Sequence, residues 1–522
     1  MGRTVLLIAS TWRKALLAFV LGGVTHFAFA PYSLWPLALL TLTGLFLLLN
    51  KLGPKAAAGV GFSYGFGLFA FGISWIQVSM AQFGGMPTAV NWLLMGLLSA
   101  YLALFFALTT YTAARLNLAG PWQQLLLLPA CWLLFDWARG HIMTGFPWLW
   151  MGYSQIDSPL SGYAPIFGVQ GVTLACLLIA GSITWAWQSK TYIMPLLVCV
   201  AVFGLGAGLN TMTFTQPQPT QKVALVQGNI EQKIKWEDEH LWPSIFKYYD
   251  LSQAVKDVDI VIWPESAIAA FEFQVEAFLQ KFDNTLKQQN TALITGVINY
   301  DRSEKRYYNT LIGIGAIEID KTEVSENQSN QSSPYFLGHD NRYFKHHLLP
   351  IGEFVPFETI LRPLAPYFNL PMSSFNRGDY VQPNMTAKGQ TLAPAICYEI
   401  AYSEQLRKNI GSDTSMILTV SNDAWFGTSI GPHQHLEIAQ MRALEFGKPV
   451  LRATNTGVTA FIDQQGQLAA VAPQFEDIAL THQVTPMLGQ TPYNRFGSWP
   501  LIFWVIGVLM FTLIIRRKKA AI

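Results

Sequence analysis

The chain has 522 residues, 51% of them hydrophobic and 13% charged, which is about half the charged share of an ordinary soluble domain. A net charge of +2 without a basic stripe gives no footing to nucleic-acid binding. Four cysteines with no C-x-x-C pair give none to a zinc site or a disulfide framework. With 17 Trp and 34 Phe, the chain reads as a polytopic membrane protein carrying a soluble part.

Apolar stretches predict seven transmembrane helices before residue 210, at 14–31, 34–50, 57–79, 90–113, 121–138, 167–187 and 192–210, each near the ~20 residues that cross a bilayer. The first lacks a clear small-residue cleavage site and is followed closely by another, so it is read as a retained helix rather than a signal peptide. An eighth span is predicted at 497–515, ending against Arg516, Arg517, Lys518 and Lys519. Arg3, Arg13, Lys14, Lys51, Lys55, Arg115, Lys190 and the terminal basic run fall on one side if the helices alternate, with Arg139 the exception. The positive-inside rule then makes both termini cytoplasmic and turns the segment 211–496 outward. Asp136, Arg139 and His141 lie at or near membrane depth, either as functional groups or as a structural pair at a helix end. The aromatic loop "GFPWLWMGYSQ" (145–155) reads first as an interfacial belt and second as a binding surface.

After "TQPQPTQ" the texture changes to short β-type runs at 222–230, 259–266, 292–300, 308–317, 392–400, 415–423, 450–457 and 458–467, with helix-like segments at 238–257 and 271–289. This predicts an α/β domain, in one version a layered α-β-β-α arrangement. The polar stretch 323–341 reads as a mobile surface loop.

Three reactive side chains stand at ends of such runs. Glu265 closes "DIVIWPE", Lys345 lies in "NRYFKHHLLPIGEFVPFE", and Cys397 closes "LAPAIC". Each has an ordinary reading: a solvated Glu, a solvated Lys, a Cys that is a small buried hydrophobe. Cys131, Cys176 and Cys199 fall inside predicted spans, so Cys397 is the lone thiol of the outward segment, and an unpaired thiol there points to reactivity.

"WPESA", "KHHLLPIGEFVPFE" and "ICYE" resemble the Glu-Lys-Cys constellation of the nitrilase superfamily. With seven spans before the domain and one after, the chain resembles that superfamily's membrane-embedded apolipoprotein N-acyltransferase family. "QGNIEQKIKWE" (227–237), "YNT" (308–310), "SNDAWFG" (421–427) and "RATNTG" (452–457) resemble it too. The resemblance implies a transmembrane domain over 1–210, a periplasmic nitrilase-like α-β-β-α sandwich over 211–496, and an eighth helix with a basic tail over 497–522, in the inner membrane of a bacterium.

It also implies acyl transfer from a phospholipid to the α-amino group of the S-diacylglyceryl-cysteine of an apolipoprotein, without cofactor or metal, by a monomer. Glu265 would be general base, Cys397 nucleophile, and Lys345 the cation that favours the thiolate and meets the oxyanion. Glu353 would position Lys345 or the amine. Glu399, placed by strand alternation on the face of Cys397, would tune the thiol or bind the amine, with Tyr398 facing away. Asn309, Trp236 and Trp425 are expected at the substrate, the two Trp equally as packing. Leu370, Pro371, Met372 and Phe375 would dip into the bilayer surface or form a lid. Two rivals remain: a membrane-tethered amidase or nitrilase using the same triad with water, and a transporter or sensor whose outer domain only binds ligand.

Overall fold

The computed structural model describes residues 2–82, 87–317, 334–350, 352–354 and 375–520. Helices stand at each apolar stretch: Gly2–Thr25, Pro36–Leu49, Pro54–Gly72, Thr88–Leu116, Leu128–Arg139, Ala164–Ser189, Ile193–Leu209 and Trp499–Ala520. Among the described residues, the segments Thr88–Leu116, Pro159–Ser189 and Trp499–Lys518 are long and apolar enough to cross a membrane, while Pro36–Leu49 and Ile193–Leu209 are shorter apolar helices. The first helix stops at Thr25 rather than at 31, ahead of Pro31, which has no N–H to continue it. The stretch 57–79 is divided between Pro54–Gly72 and Ile76–Gln82, because Trp75 turns its indole away into the other domain.

Small residues let these helices touch backbone to backbone. A Cβ on Gly67 would lie 2.1 Å from the carbonyl oxygen of Phe19, and one on Gly22 would lie 1.9 Å from that of Tyr64. Thr25 bonds both Thr41 and Tyr64, so one buried polar knot joins three helices.

The chain then forms two six-stranded sheets. The first runs β13 (Ile478–Val484), β2 (Gln221–Gln227), β3 (Ile260–Ile262), β4 (Ala292–Asp301), β5 (Arg306–Gly315), β6 (Arg342–Phe344). The second runs β12 (Leu468–Val471), β11 (Ala460–Ile462), β10 (Val450–Thr454), β9 (Met416–Ser421), β8 (Gln390–Ile396), β7 (Met385–Ala387). Each has a parallel centre, β2-β3-β4 and β8-β9-β10, with antiparallel flanks. A ribbon of β1 (Thr215–Pro217) and β14 (Met487–Gly489) closes the domain where the chain arrives and leaves.

Leu225, Ile262, Ile294, Ile396, Leu418 and Leu451 fill the space between the sheets. Helices Asp238–Ala254 and Glu276–Gln288 cover the outer face of the first sheet through Ile245, Tyr248, Leu279 and Phe282. Helix Gly431–Phe446 covers the second, and its far side joins the core of the helical domain. Of the stretch 323–341, the part after 333 is described; it is mostly exposed, but Tyr335 is buried and donates to Glu272.

Candidate active site

The ends of the parallel strands deliver the reactive groups. β3 stops at Ile262, and Trp263-Pro264 carry Glu265 out of the sheet. Gly296 on β4 lets that turn approach: a Cβ there would lie 2.4 Å from the Ser266 nitrogen. β8 stops at Ile396, and Cys397 opens a one-turn 3₁₀ helix, Cys397–Ala401, with its own φ at +54°. A non-glycine residue in that region is strained and needs support from its surroundings. Lys345 follows β6, its N–H donating to the carbonyl of Asn309 at 2.9 Å.

Glu265 Oε1 accepts from Lys345 Nζ at 3.0 Å and from Asn309 Nδ2 at 2.8 Å, and Oε2 accepts from the main-chain N–H of Asn422 at 3.0 Å. Lys345 Nζ also donates to Glu353 Oε1 at 2.8 Å, and Asn309 bridges to the same oxygen at 3.0 Å. Cys397 lies in the electrostatic reach of both Glu265 and Lys345. Glu265, Lys345, Cys397, Glu353 and Asn309 are therefore one cluster.

Burial alone would raise the Glu265 carboxyl, but the Lys345 ammonium and three donors hold it below the usual carboxylate range. Burial alone would lower Lys345, but Glu265 and Glu353 hold it well above the ordinary lysine value. Both are ionised at neutral pH. Burial pushes the Cys397 thiol up, Glu265 adds to this, and Lys345 offsets only part of it. The lysine does not by itself make a thiolate; the resting sulfur keeps its proton and faces an ionised carboxylate.

Glu399 departs from the strand-alternation expectation, because the strand has ended before Cys397. Its carboxylate turns back and accepts from the N–H of Ile396 (2.8 Å), His346 (2.8 Å) and His347 (3.0 Å), from Gln405 Nε2 (3.0 Å) and from Tyr343 OH (3.1 Å). It ties the Lys345 loop to the cysteine turn from beneath. Tyr398 faces away, donating to the Gly145 carbonyl at 3.3 Å. Trp236 is half-buried beside Lys235, and the Trp425 carbonyl accepts from Ser79 at 2.7 Å. Leu370, Pro371 and Met372 lie outside the described residues; Phe375 is half-buried, its N–H directed at the Glu353 carbonyl at 3.3 Å.

Sequence reasoning missed a second set. Lys235 is buried, its Nζ donating to the Glu265 carbonyl at 3.2 Å, and burial draws it down to about 8. Asp423, His435 and Arg452 form a buried group under the cysteine turn. Lys235, Asp423 and Arg452 sit inside stretches already singled out, "QKIKWE", "SNDAW" and "RATNTG".

The site rests on the helical domain. The aromatic loop is no interfacial belt: Trp148, Leu149, Met151 and Tyr153 are buried between the domains. Asp136 and Arg139 are a buried pair at 3.1 Å, and Arg139 holds the loop through the carbonyls of Phe146 (3.0 Å) and Trp148 (2.7 Å). His141 is exposed and stacks on Trp137. Gln434 Oε1 accepts from the indoles of Trp75 (3.0 Å) and Trp148 (2.7 Å). His347 stacks on Tyr402 at 3.4 Å and meets the Thr144 carbonyl at 3.1 Å.

Two sequence families match the chain: Apolipoprotein N-acyltransferase N-terminal domain over residues 21–182 and Carbon-nitrogen hydrolase over 222–493. The C-terminal half is thus a carbon-nitrogen hydrolase domain, in which a carboxylate, an ammonium and a thiol meet at strand ends. Over 513 residues the chain is 48% identical to Apolipoprotein N-acyltransferase of Vibrio parahaemolyticus, covering 97% of this chain and 98% of that one. It is 49% identical over 496 residues to that of Vibrio vulnificus, covering 94% and 95%, and 48% identical over 513 residues to that of Shewanella oneidensis, covering 97% and 96%. The chain belongs to the apolipoprotein N-acyltransferase family and is an enzyme.

Proposed function

We propose that this enzyme moves a fatty acyl chain from a phospholipid to the α-amino group of the N-terminal S-diacylglyceryl-cysteine of an apolipoprotein, through a thioester on Cys397. Glu265 takes the thiol proton and the sulfur attacks the donor ester carbonyl. The Lys345 ammonium and a main-chain N–H at the cysteine turn meet the oxyanion. The C–O bond breaks, Glu265 returns its proton to the leaving alkoxide, and a lysophospholipid departs. Glu265 then takes a proton from the acceptor ammonium and yields it to water, the free amine attacks the thioester, Glu265 takes the second nitrogen-bound proton from the adduct, and the C–S bond breaks as that proton passes to sulfur. Glu353 and Asn309 hold Lys345 and Glu265 in register. Trp236 and Trp425 contact the substrates.

The observation that carries this reading is the buried, ionised Glu265–Lys345 pair at 3.0 Å beside a protonated thiol. A base that is already charged needs no prior proton loss before it activates the sulfur.

The reading includes placement. Residues 1–210 form seven spans, 211–496 form the periplasmic catalytic domain, and 497–522 form the eighth span with its cytoplasmic tail, in the inner membrane and as a monomer. Support comes from Arg516, whose guanidinium bonds the Arg115 carbonyl, so two of the basic ends used to orient the chain adjoin. Aromatic and apolar packing beneath the site would keep a thioester from water, which separates a transferase from a hydrolase.

The test is intact mass of the purified chain incubated with phospholipid. A hydroxylamine-labile acyl adduct on Cys397, passed on to a diacylated lipopeptide, is expected. Release of free fatty acid without lipopeptide product would favour the hydrolase, and a fully active Cys397→Ser chain would remove the thioester altogether.

A further inference from the structure

Cys397 is held at φ +54°, a conformation that persists only where neighbours impose it. On its N-terminal side the Ile396 N–H is bound by Glu399 at 2.8 Å. On its own carbonyl stands His435 Nε2 at 3.1 Å. A carbonyl only accepts, so Nε2 carries the proton in this contact. His435 Nδ1 faces Arg452 Nη2 at 3.2 Å and Asp423 Oδ1 at 3.2 Å, and Arg452 closes the group on Asp423 Oδ2 at 2.6 Å. Ser421 donates to Asp423 as well. The group is sealed: the side chains of His435, Asp423 and Arg452 are at most 1% exposed. Burial and the Arg452 charge lower the imidazole below its usual value, which favours the neutral ring with Nδ1 accepting from Arg452. Burial is outweighed at Asp423, where the Arg452 guanidinium draws the carboxyl down to about 2.

We propose that His435 is the positioning residue of the nucleophile: Arg452, itself held by Asp423, fixes its tautomer, and its Nε2–H pins the Cys397 carbonyl so that the thiol faces Glu265. The neighbouring Gln434 holds the indoles of Trp75 and Trp148, so the same helix turn that sets the sulfur is itself set by the helical domain. This rests on Cys397 being the nucleophile.

The test compares His435→Gln with His435→Asn in the full chain. Gln places an amide N–H where Nε2 stands and keeps the contact to Cys397. Asn places a carbonyl oxygen where Nδ1 stands, keeps the contact to Arg452 and loses Cys397. The expected result is acyl-enzyme formation within about tenfold of the parent for Gln and about a hundredfold slower for Asn, with donor KM within about twofold in both. Equal rates for the two overturn the proposal, as does a Gln chain that does not fold. Iodoacetamide alkylation of Cys397 reads the turn without substrate. In the Gln chain it should proceed within about threefold of the parent, and a fall beyond about tenfold overturns the proposal even if the Asn chain does not fold. A parent chain that never acylates would overturn the function and leave this arm standing.

Discussion

Lys345 lies closer to Glu353, at 2.8 Å, than to Glu265, at 3.0 Å. One ammonium therefore serves two carboxylates, and the second keeps it from leaning fully on the base. Replacing Glu353 by Gln leaves an acceptor for Leu349 N–H, which Glu353 Oε2 now binds at 2.8 Å, but removes the charge. Glu265 then carries the whole ammonium and becomes a weaker base. The expected outcome is a fall in kcat of about 30-fold, measured as single-turnover acyl-enzyme formation. The melting temperature should stay within about 3 °C.

The pH dependence follows from the same pair. Glu265 is held low, so its stabilising contribution is present above the unfolded carboxyl value of about 4.3 and is lost as pH falls through the lower folded value. Lys345 is held high, so its contribution is complete below the unfolded lysine value of about 10.4 and is lost as pH rises through the higher folded value. Acyl-enzyme formation and thermal stability should share a plateau between about pH 5 and 8, above which the relief of Lys235 adds to stability. A rate that halves near pH 6.5 would contradict the ionised resting base.

Lys235 behaves in the opposite sense. Its folded value of about 8 lies below the unfolded one, so the buried charge is a penalty at neutral pH that is relieved as pH rises from about 8 to about 10.4. The penalty is on the order of 3 kcal/mol. Lys235→Met should raise the melting temperature at pH 7, with the gain vanishing near pH 10.5, while loosening the Glu265 turn slows acyl-enzyme formation about tenfold. Calorimetry at the two pH values checks the first part.

Gln434→Leu strips two buried indole N–H groups of their acceptor. Each unmet donor costs about 1–3 kcal/mol, so the variant should melt several degrees lower, with proteolysis starting at the domain boundary. A melting temperature equal to the parent's would mean the two indoles find other acceptors.

Much of this was legible in the sequence. Apolar runs mark the helices because lipid leaves few other backbone solutions, and "DIVIWPE" and "LAPAIC" mark strand ends where apolar residues give way to one ionisable group. The details that escaped depend on contacts across hundreds of residues. Glu399 looked like a neighbour of the thiol by strand parity, but parity ends where β8 ends. Trp148 looked like a bilayer anchor, and only the approach of Gln434 buries it. β13, "IALTHQV", alternates weakly because it lies at a sheet edge with exposed Thr481 and Gln483 among its residues. His435 carries no local signal, since its partner carbonyl is 38 residues away.

Thr215 pairs with Gly489 in the β1–β14 ribbon, so the catalytic half begins and finishes at one point. Such a half is an insertion hung from a single doubled stalk. Its strands never thread between the helices, and the last helix reaches its place without drawing a folded body through a loop. A chain severed at the stalk should keep its sheets while uncovering the flank that normally faces the bundle.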